Sequence, residues 1–234
     1  MATTAQPVNP AIEFTFQEEG HLYREKGSGI PILSVTQVLD SVGIVDYPEF
    51  AAAAMEFKSK IGTAVHSATQ FIDTPDKGEL DWETLDIGST DNGEEKHYDL
   101  VPYVLAYERF CEEACFTATH VELQGAVRLP QGPVAFTLDR IGSMSGLSAI
   151  VEIKCTLNIE KSVGIQLAGY EECVLALGHK PVGSPTFKRI AVQLKENGTY
   201  KLYSFNDPMD KKVWQWALAL ATWKQNNGYK LEAR

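Results

Sequence analysis

The sequence predicts an α+β (α/β) fold: a central mixed β-sheet flanked by helices, formed by residues 1–234 as one domain. Three observations predict it. Two helical stretches come early, an Ala-rich run with few breakers at 49–72 and a second at about 99–116. From 119 to 156 the pattern changes to runs rich in β-branched residues, separated by Gly, Pro and Ser. A helix, a hairpin and a last helix follow, so the order is helix–helix–three strands–helix–two strands–helix. With 234 residues, 44% of them apolar, the chain can build one core without covalent staples.

The elements follow from local signals. Residues 12–25 (IEFTFQEEGHLYRE) alternate around a Glu-Glu-Gly turn and read as a hairpin. Ser34 is the expected N-cap of a short helix that Gly43 stops, so 1–48 forms an N-terminal hairpin-and-helix segment. The helix at 49–72 carries His66. The acidic stretch 73–99 has no sustained period and reads as a solvated loop or insertion. In the next helix Tyr103, Leu105, Tyr107 and Phe110 are expected on or near its buried side, with Cys111 and Cys115 in the core. Strands are expected at 119–129, 134–142 and 147–156, then a helix at about 160–177 ended by Gly178. Residues 186–194 and 199–206 form a hairpin around Glu196-Asn197-Gly198. Trp214, Trp216 and Trp223 of the last helix, 208–226, supply core or docking area.

Several classes are excluded. No run approaches the roughly 18 apolar residues of a membrane span. The first residues lack the charged and apolar regions of a signal peptide, which predicts a cytoplasmic protein with no membrane partner. Four cysteines without CxxC spacing indicate neither a zinc site nor a disulfide framework. No Walker A string is present, so no bound nucleotide is expected. The net charge of −10 argues against a nucleic-acid partner, but the deficit is local. Residues 73–99 hold ten acids and two bases, whereas residues 154–234 hold twelve bases and seven acids. Lys180, Lys188, Arg189, Lys195 and Lys201 in that last third form a candidate DNA track.

The chemistry concentrates in residues 136–154, FTLDRIGSMSGLSAIVEIK. Side chains alternate along a strand, so Glu152 and Lys154 share a face while Ile153 and Cys155 take the other. A turn centred on Met144-Ser145-Gly146-Leu147 sets Asp139 opposite Glu152. Like charges directly opposed are destabilising, and two such carboxylates call for a cation. Their hard oxygens suit Mg²⁺ or Mn²⁺, with the carbonyl of Ile153 as a further ligand. Lys154 beside that site would orient an attacking water or stabilise charge on a phosphate. A surface hairpin with a Glu–Lys pair and an unrelated Asp is the alternative on these three residues alone. Glu122 reads as an exposed strand glutamate, with a second metal as its alternative, and Arg140 as a salt-bridge partner pointing to the opposite face.

Five motifs in order carry a resemblance: Ser34-Val35-Thr36; Gly62-Thr63-Ala64-Val65-His66; Leu138-Asp139-Arg140-Ile141; Glu152-Ile153-Lys154; and Gln166 with Tyr170. Together they resemble the PD-(D/E)XK nuclease superfamily, in its RecB-like exonuclease branch common in phages. The resemblance implies a restriction-endonuclease-like core and a metal-dependent DNA exonuclease leaving 5′-phosphate products. It assigns His66, Asp139, Glu152 and Ile153 to one or two Mg²⁺ or Mn²⁺ ions, and Asp139, Glu152 and Lys154 to catalysis. Gln166, Tyr170 and Ser34 are implied as substrate contacts, although Gln166 and Tyr170 could instead touch the catalytic groups and Ser34 also reads simply as a helix cap. No cysteine follows Cys173, so no iron–sulfur cluster is expected. The implied partners are linear DNA, single- or double-stranded, a single-strand annealing protein in phage-type recombination, and further copies of the chain. The implied location is the host cytoplasm. One departure stands out: the family carries Gly three residues before the Asp, and here Phe136 would crowd the substrate backbone. A structure-specific endonuclease and a non-catalytic nucleic-acid-binding or adaptor protein are the rival readings, and an RNA substrate stays open.

Overall fold

The computed structural model describes residues 10–45, 52–74, 86–91 and 94–229. In chain order these form β1 (Phe14–Gln17), β2 (Leu22–Glu25), β3 (Pro31–Ile32), α1 (Val35–Ser41), α2 (Ala52–Asp73), β4 (Asp86–Asp91) and β5 (Glu94–Asp99). There follow α3 (Val101–Glu113), β6 (Phe116–Leu129), β7 (Gly132–Met144), β8 (Leu147–Lys154), α4 (Ser162–Ala176), β9 (Lys188–Leu194), β10 (Tyr200–Ser204) and α5 (Pro208–Asn226). The arrangement is α+β around a five-stranded mixed sheet. No helix among the described residues is long and apolar enough to cross a membrane.

The sheet runs β10-β9-β8-β7-β6. Neighbours pair antiparallel except β8 and β9, which run parallel and are joined through α4. A parallel pair requires a long crossover of this kind, because a tight turn reverses direction. Two apolar layers sandwich the sheet. On one face Phe136, Leu138 and Ile150 pack with Val38 and Leu39 of α1, Leu167 and Val174 of α4, and Trp214 and Leu218 of α5. On the other, Val151, Ile153 and Val192 pack with Val65 of α2 and Val104, Tyr107 and Phe110 of α3. The central strand β8 is therefore apolar on both sides, as an interior strand must be. A small sheet, β1-β2-β3, closes over β6 and β7 through Tyr23 and Ile32 against Ala126 and Ala135.

Local signals explain the termini. Ser34 caps α1 in a capping box: its hydroxyl accepts the Gln37 N–H while the Gln37 side chain accepts the Ser34 N–H. Ser145 and Gly146 both take the left-handed region, with φ 51° and 80°, which is the two-residue turn that suits the twist of a hairpin.

Four expectations need correction. The acidic stretch 73–99 is not all loop, because Asp86–Asp91 and Glu94–Asp99 pair as an antiparallel hairpin. Residues 75–85 and 92–93 lie outside the described residues. Asp73 is no solvated acid: its side chain is 5% exposed and ion-paired to Arg140. Leu105 is 47% exposed rather than buried, while Tyr107 and Phe110 do face the core. Cys115 lies beyond the end of α3, exposed and left-handed, so it is not part of the core. The expectation of core or docking area for the three tryptophans needs no change, since Trp214 is buried while Trp216 and Trp223 are exposed.

Candidate metal centre

The site grows out of a break in the β6–β7–β8 ladder. Val121 pairs with Arg140 and Leu123 with Leu138, which leaves Glu122 across from Asp139. On the other side the pairing runs from Met144–Leu147 to Arg140–Val151, so the next position opposite Asp139 is Glu152. Three carboxylates thus occupy one row over three adjacent strands, which lie about 4.8 Å apart in any sheet. The backbone departs from regular geometry along this row. Glu122 is left-handed, with φ 49°. Leu138 and Ile141 share one core cluster although they are three residues apart, so the two-residue alternation slips at Asp139. Asp139 Oδ2 fills the gap by accepting the Ile153 N–H at 2.7 Å.

His66 reaches this row from α2. Its Nδ1 lies 3.4 Å from Asp139 Oδ1 and 3.6 Å from Glu122 Oε1, and its Nε2 lies 3.2 Å from the Ile153 carbonyl oxygen. One ligand atom from each of His66, Glu122 and Asp139 falls within 4.8 Å of the others, a grouping that could hold a metal ion. Glu152 is buried next in the row. Its Oε1 accepts from Lys154 Nζ at 2.8 Å and from Gln166 Nε2 at 3.0 Å, while its Oε2 is buried without a hydrogen-bond partner. Such an orphaned carboxylate oxygen is costly to bury unless something neutralises it.

Behind the row, Arg140 is fully buried. It donates to Asp73 Oδ2 at 2.5 Å, Glu122 Oε1 at 3.0 Å, Thr69 Oγ1 at 3.0 Å and the Asp139 carbonyl at 2.8 Å. A single guanidinium therefore ties the end of α2 to both β6 and β7. The planar fork of arginine suits this, since its five donors can serve several acceptors at once.

The charges are strongly coupled. Burial by itself would push Asp139 up, yet the His66 charge and hydrogen bond, the Ile153 N–H and Lys154 hold its carboxyl below the ordinary value. Glu152 is pushed up to about 7, by burial first and by Asp139 second, against the pull of Lys154 and His66. Burial opposes charge on His66, but Asp139 and Glu122 prevail and raise it to about 10. Both raised groups bind more protons in the folded metal-free chain than in the unfolded one. The stability they contribute is fully present below their unfolded values of 4.5 and 6.5, and is lost as pH rises through about 7 and about 10. The metal-free protein is accordingly expected to melt at progressively lower temperature from pH 5 to pH 10. Saturating Mn²⁺ should flatten that slope, because an ion replaces the protons. Melting curves in EDTA and in Mn²⁺ check this, and a slope indifferent to the ion would count against metal binding here.

No protein-family model matches the chain, and no curated protein does.

The predicted residues fall into three groups. Asp139, Glu152, His66, Ile153 and Lys154 come together, and all but Asp139 line a cleft of about 700 Å³. Gln166 and Tyr170 are buried, and Gln166 bonds both Glu152 and the Tyr170 hydroxyl at 3.0 Å. Through Gln166 Nε2 they touch Glu152, which the resemblance assigns to catalysis, one of the two contacts it implies. Ser34 is 5% exposed, and its hydroxyl and N–H make the cap of α1. Phe136 does not crowd the cleft. It is fully buried, its ring filling the space above its partner Gly125, where a Cβ would come within 2.6 Å of it. Arg189 drops out of the basic track, being buried beside Glu171 and Asp210. The residue that sequence reasoning undervalued is Glu122. Its left-handed backbone, which regular alternation does not anticipate, accompanies the approach of its carboxylate to His66.

The donors present fit a divalent cation. An imidazole with two carboxylates suits Mn²⁺, and Mg²⁺ less well; Glu152, with its orphaned Oε2, stands next in the row outside that group.

Proposed function

We propose that this chain is a metal-dependent DNA nuclease, an exonuclease that leaves 5′-phosphates, built on a restriction-endonuclease-like core and serving phage-type DNA recombination or processing. One observation carries the reading: Lys154 lies against Glu152 on the next position of the same strand face, at the end of a carboxylate row headed by His66. A purely structural ion pair gives no reason to line up three acids, two of them buried.

His66, Glu122, Asp139, the Glu152 Oε2 and the Ile153 carbonyl would hold one or two ions. A bound Mg²⁺ or Mn²⁺ would supply Lewis acidity toward the phosphodiester and lower the pKa of water. Lys154 orients the attacking water and steadies charge building on the phosphate. Gln166 and Tyr170 keep Glu152 in place, the supporting role that buried partners commonly play for a ligating carboxylate. The Asp139 bond to the Ile153 N–H fixes the strand so that its carbonyl stays turned toward His66.

The test compares linear with covalently closed circular DNA in Mg²⁺, Mn²⁺ and EDTA, beside a Lys154→Ala protein. Metal-dependent loss of the linear form alone, absent in the variant, is the expected result. Cleavage of both forms would make the chain an endonuclease, and cleavage of neither would remove the enzymatic reading.

A further inference from the structure

The N-terminal hairpin forms one wall of the cleft. Phe16, Glu18 and His21 line the same cavity as His66, Glu122, Glu152 and Lys154. Phe16 and His21 meet edge to face with ring centroids 5.0 Å apart, and Tyr23 packs beneath them at 4.7 Å from Phe16 and 5.6 Å from His21. Tyr23 is buried, and its hydroxyl bonds Thr137, two residues before Asp139. The ring cluster is thus anchored to the strand that carries the centre of the row.

The turn that delivers His21 is unusual. His21 is left-handed with φ 51°, its N–H donates to the Glu18 carbonyl and its own carbonyl accepts from Gln37 Nε2. Few side chains adopt that backbone readily, and such conformations persist where surrounding contacts impose them. Phe16 is half-buried and His21 exposed, so the wall keeps ring surface on the cleft.

Charge points the same way. Among the described residues lining the cleft, Lys154 is the only lysine or arginine, set against Glu18, Glu122 and Glu152. The described residues of the cleft therefore offer a nucleic acid no clamp of several lysines on its phosphates. Aromatic surface offers a different hold, because every base has a π-face to stack. In a duplex both faces of each internal base are already covered, so a stacking wall admits an unpaired base.

We propose that Phe16 and His21 form a base-stacking subsite that takes an unpaired nucleobase of single-stranded DNA next to the phosphate held at the carboxylate row. The inference rests on the nuclease reading above. The experiment measures binding of short strands to a full-length Asp139→Asn protein, with 2-aminopurine fluorescence reporting stacking. Adding Phe16→Leu, which keeps an apolar side chain on Tyr23, should weaken binding of a base-bearing strand about 5- to 100-fold and abolish the 2-aminopurine quench. The same change should leave an abasic strand unaffected, and Phe16→Trp should keep both affinity and quench. His21→Asn, which tolerates the left-handed backbone, should give a smaller loss on the base-bearing strand alone. Equal losses on base-bearing and abasic strands, or unchanged affinity, would overturn the subsite. If the unsubstituted chain still degrades linear DNA in that event, the nuclease reading survives and only the subsite falls. A folded chain that neither binds nor cleaves any DNA overturns both.

Discussion

Replacing Asp139 by asparagine is expected to lower metal-dependent DNA cleavage at least about a thousandfold, roughly 4 kcal/mol of lost transition-state stabilisation. Asp139 is the middle member of the row and touches both His66 and the Ile153 N–H. Asparagine keeps the shape and one acceptor oxygen, so the strand contact can persist while the charge goes. The fold should therefore survive, with a melting temperature close to that of the unchanged protein. A second readout separates a lost ligand from a lost fold. Asp139 is the principal group raising His66, whose pKa is pushed up to about 10, so imidazole titration followed by NMR should move down in the variant. Cleavage retained above a tenth of the original rate would show that the row is not where the chemistry occurs.

The largest effect on stability is expected at Arg140. Arg140→Met leaves Asp73 buried without its cation and takes a donor from Glu122, Thr69 and the Asp139 carbonyl. Breaking one side of a buried ion pair costs about 3–5 kcal/mol, because the surviving charge stays desolvated. Urea unfolding should show that loss as a lower midpoint with an unchanged slope. Adding Asp73→Leu should recover part of it, since removing both charges is far less damaging than removing one. The Tyr107 hydroxyl, which donates to Asp73, would still lose its acceptor, so recovery is expected to be incomplete. A loss under about 1 kcal/mol in the single variant would mean that water reaches Asp73.

Much of this was legible along the chain, and the exceptions have physical causes. Ser34, Gly43 and Gly178 mark helix ends by local chemistry, and the structure places those ends there. The Met144–Leu147 turn fixed the β7–β8 register, which holds as far as Arg140. It stops at Asp139 because the side chain there replaces a backbone partner, a substitution that regular pairing rules do not contain. Asp73 looked like the first acid of a charged run, but what defines it is a cation 67 residues away. Strands Asp86–Asp91 and Glu94–Asp99 carry almost no apolar alternation, so their pairing left no periodic trace. Glu122 needed knowledge of its left-handed backbone, and Phe136 needed knowledge of the glycine that faces it.

The β7–β8 turn also acts as a vernier for the row. Asp139 and Glu152 sit at equal distance from Ser145 and Gly146, about 20 Å down each strand. Neither turn residue touches the cleft, and a compatible substitution at Ser145 leaves the count intact. A single inserted or deleted residue there would shift one strand against the other by one place and turn Glu152 and Lys154 to the opposite face. The chemistry would then vanish with every one of its side chains still in the chain. Tolerance to sequence change and tolerance to length change are therefore opposite properties at this one remote bend.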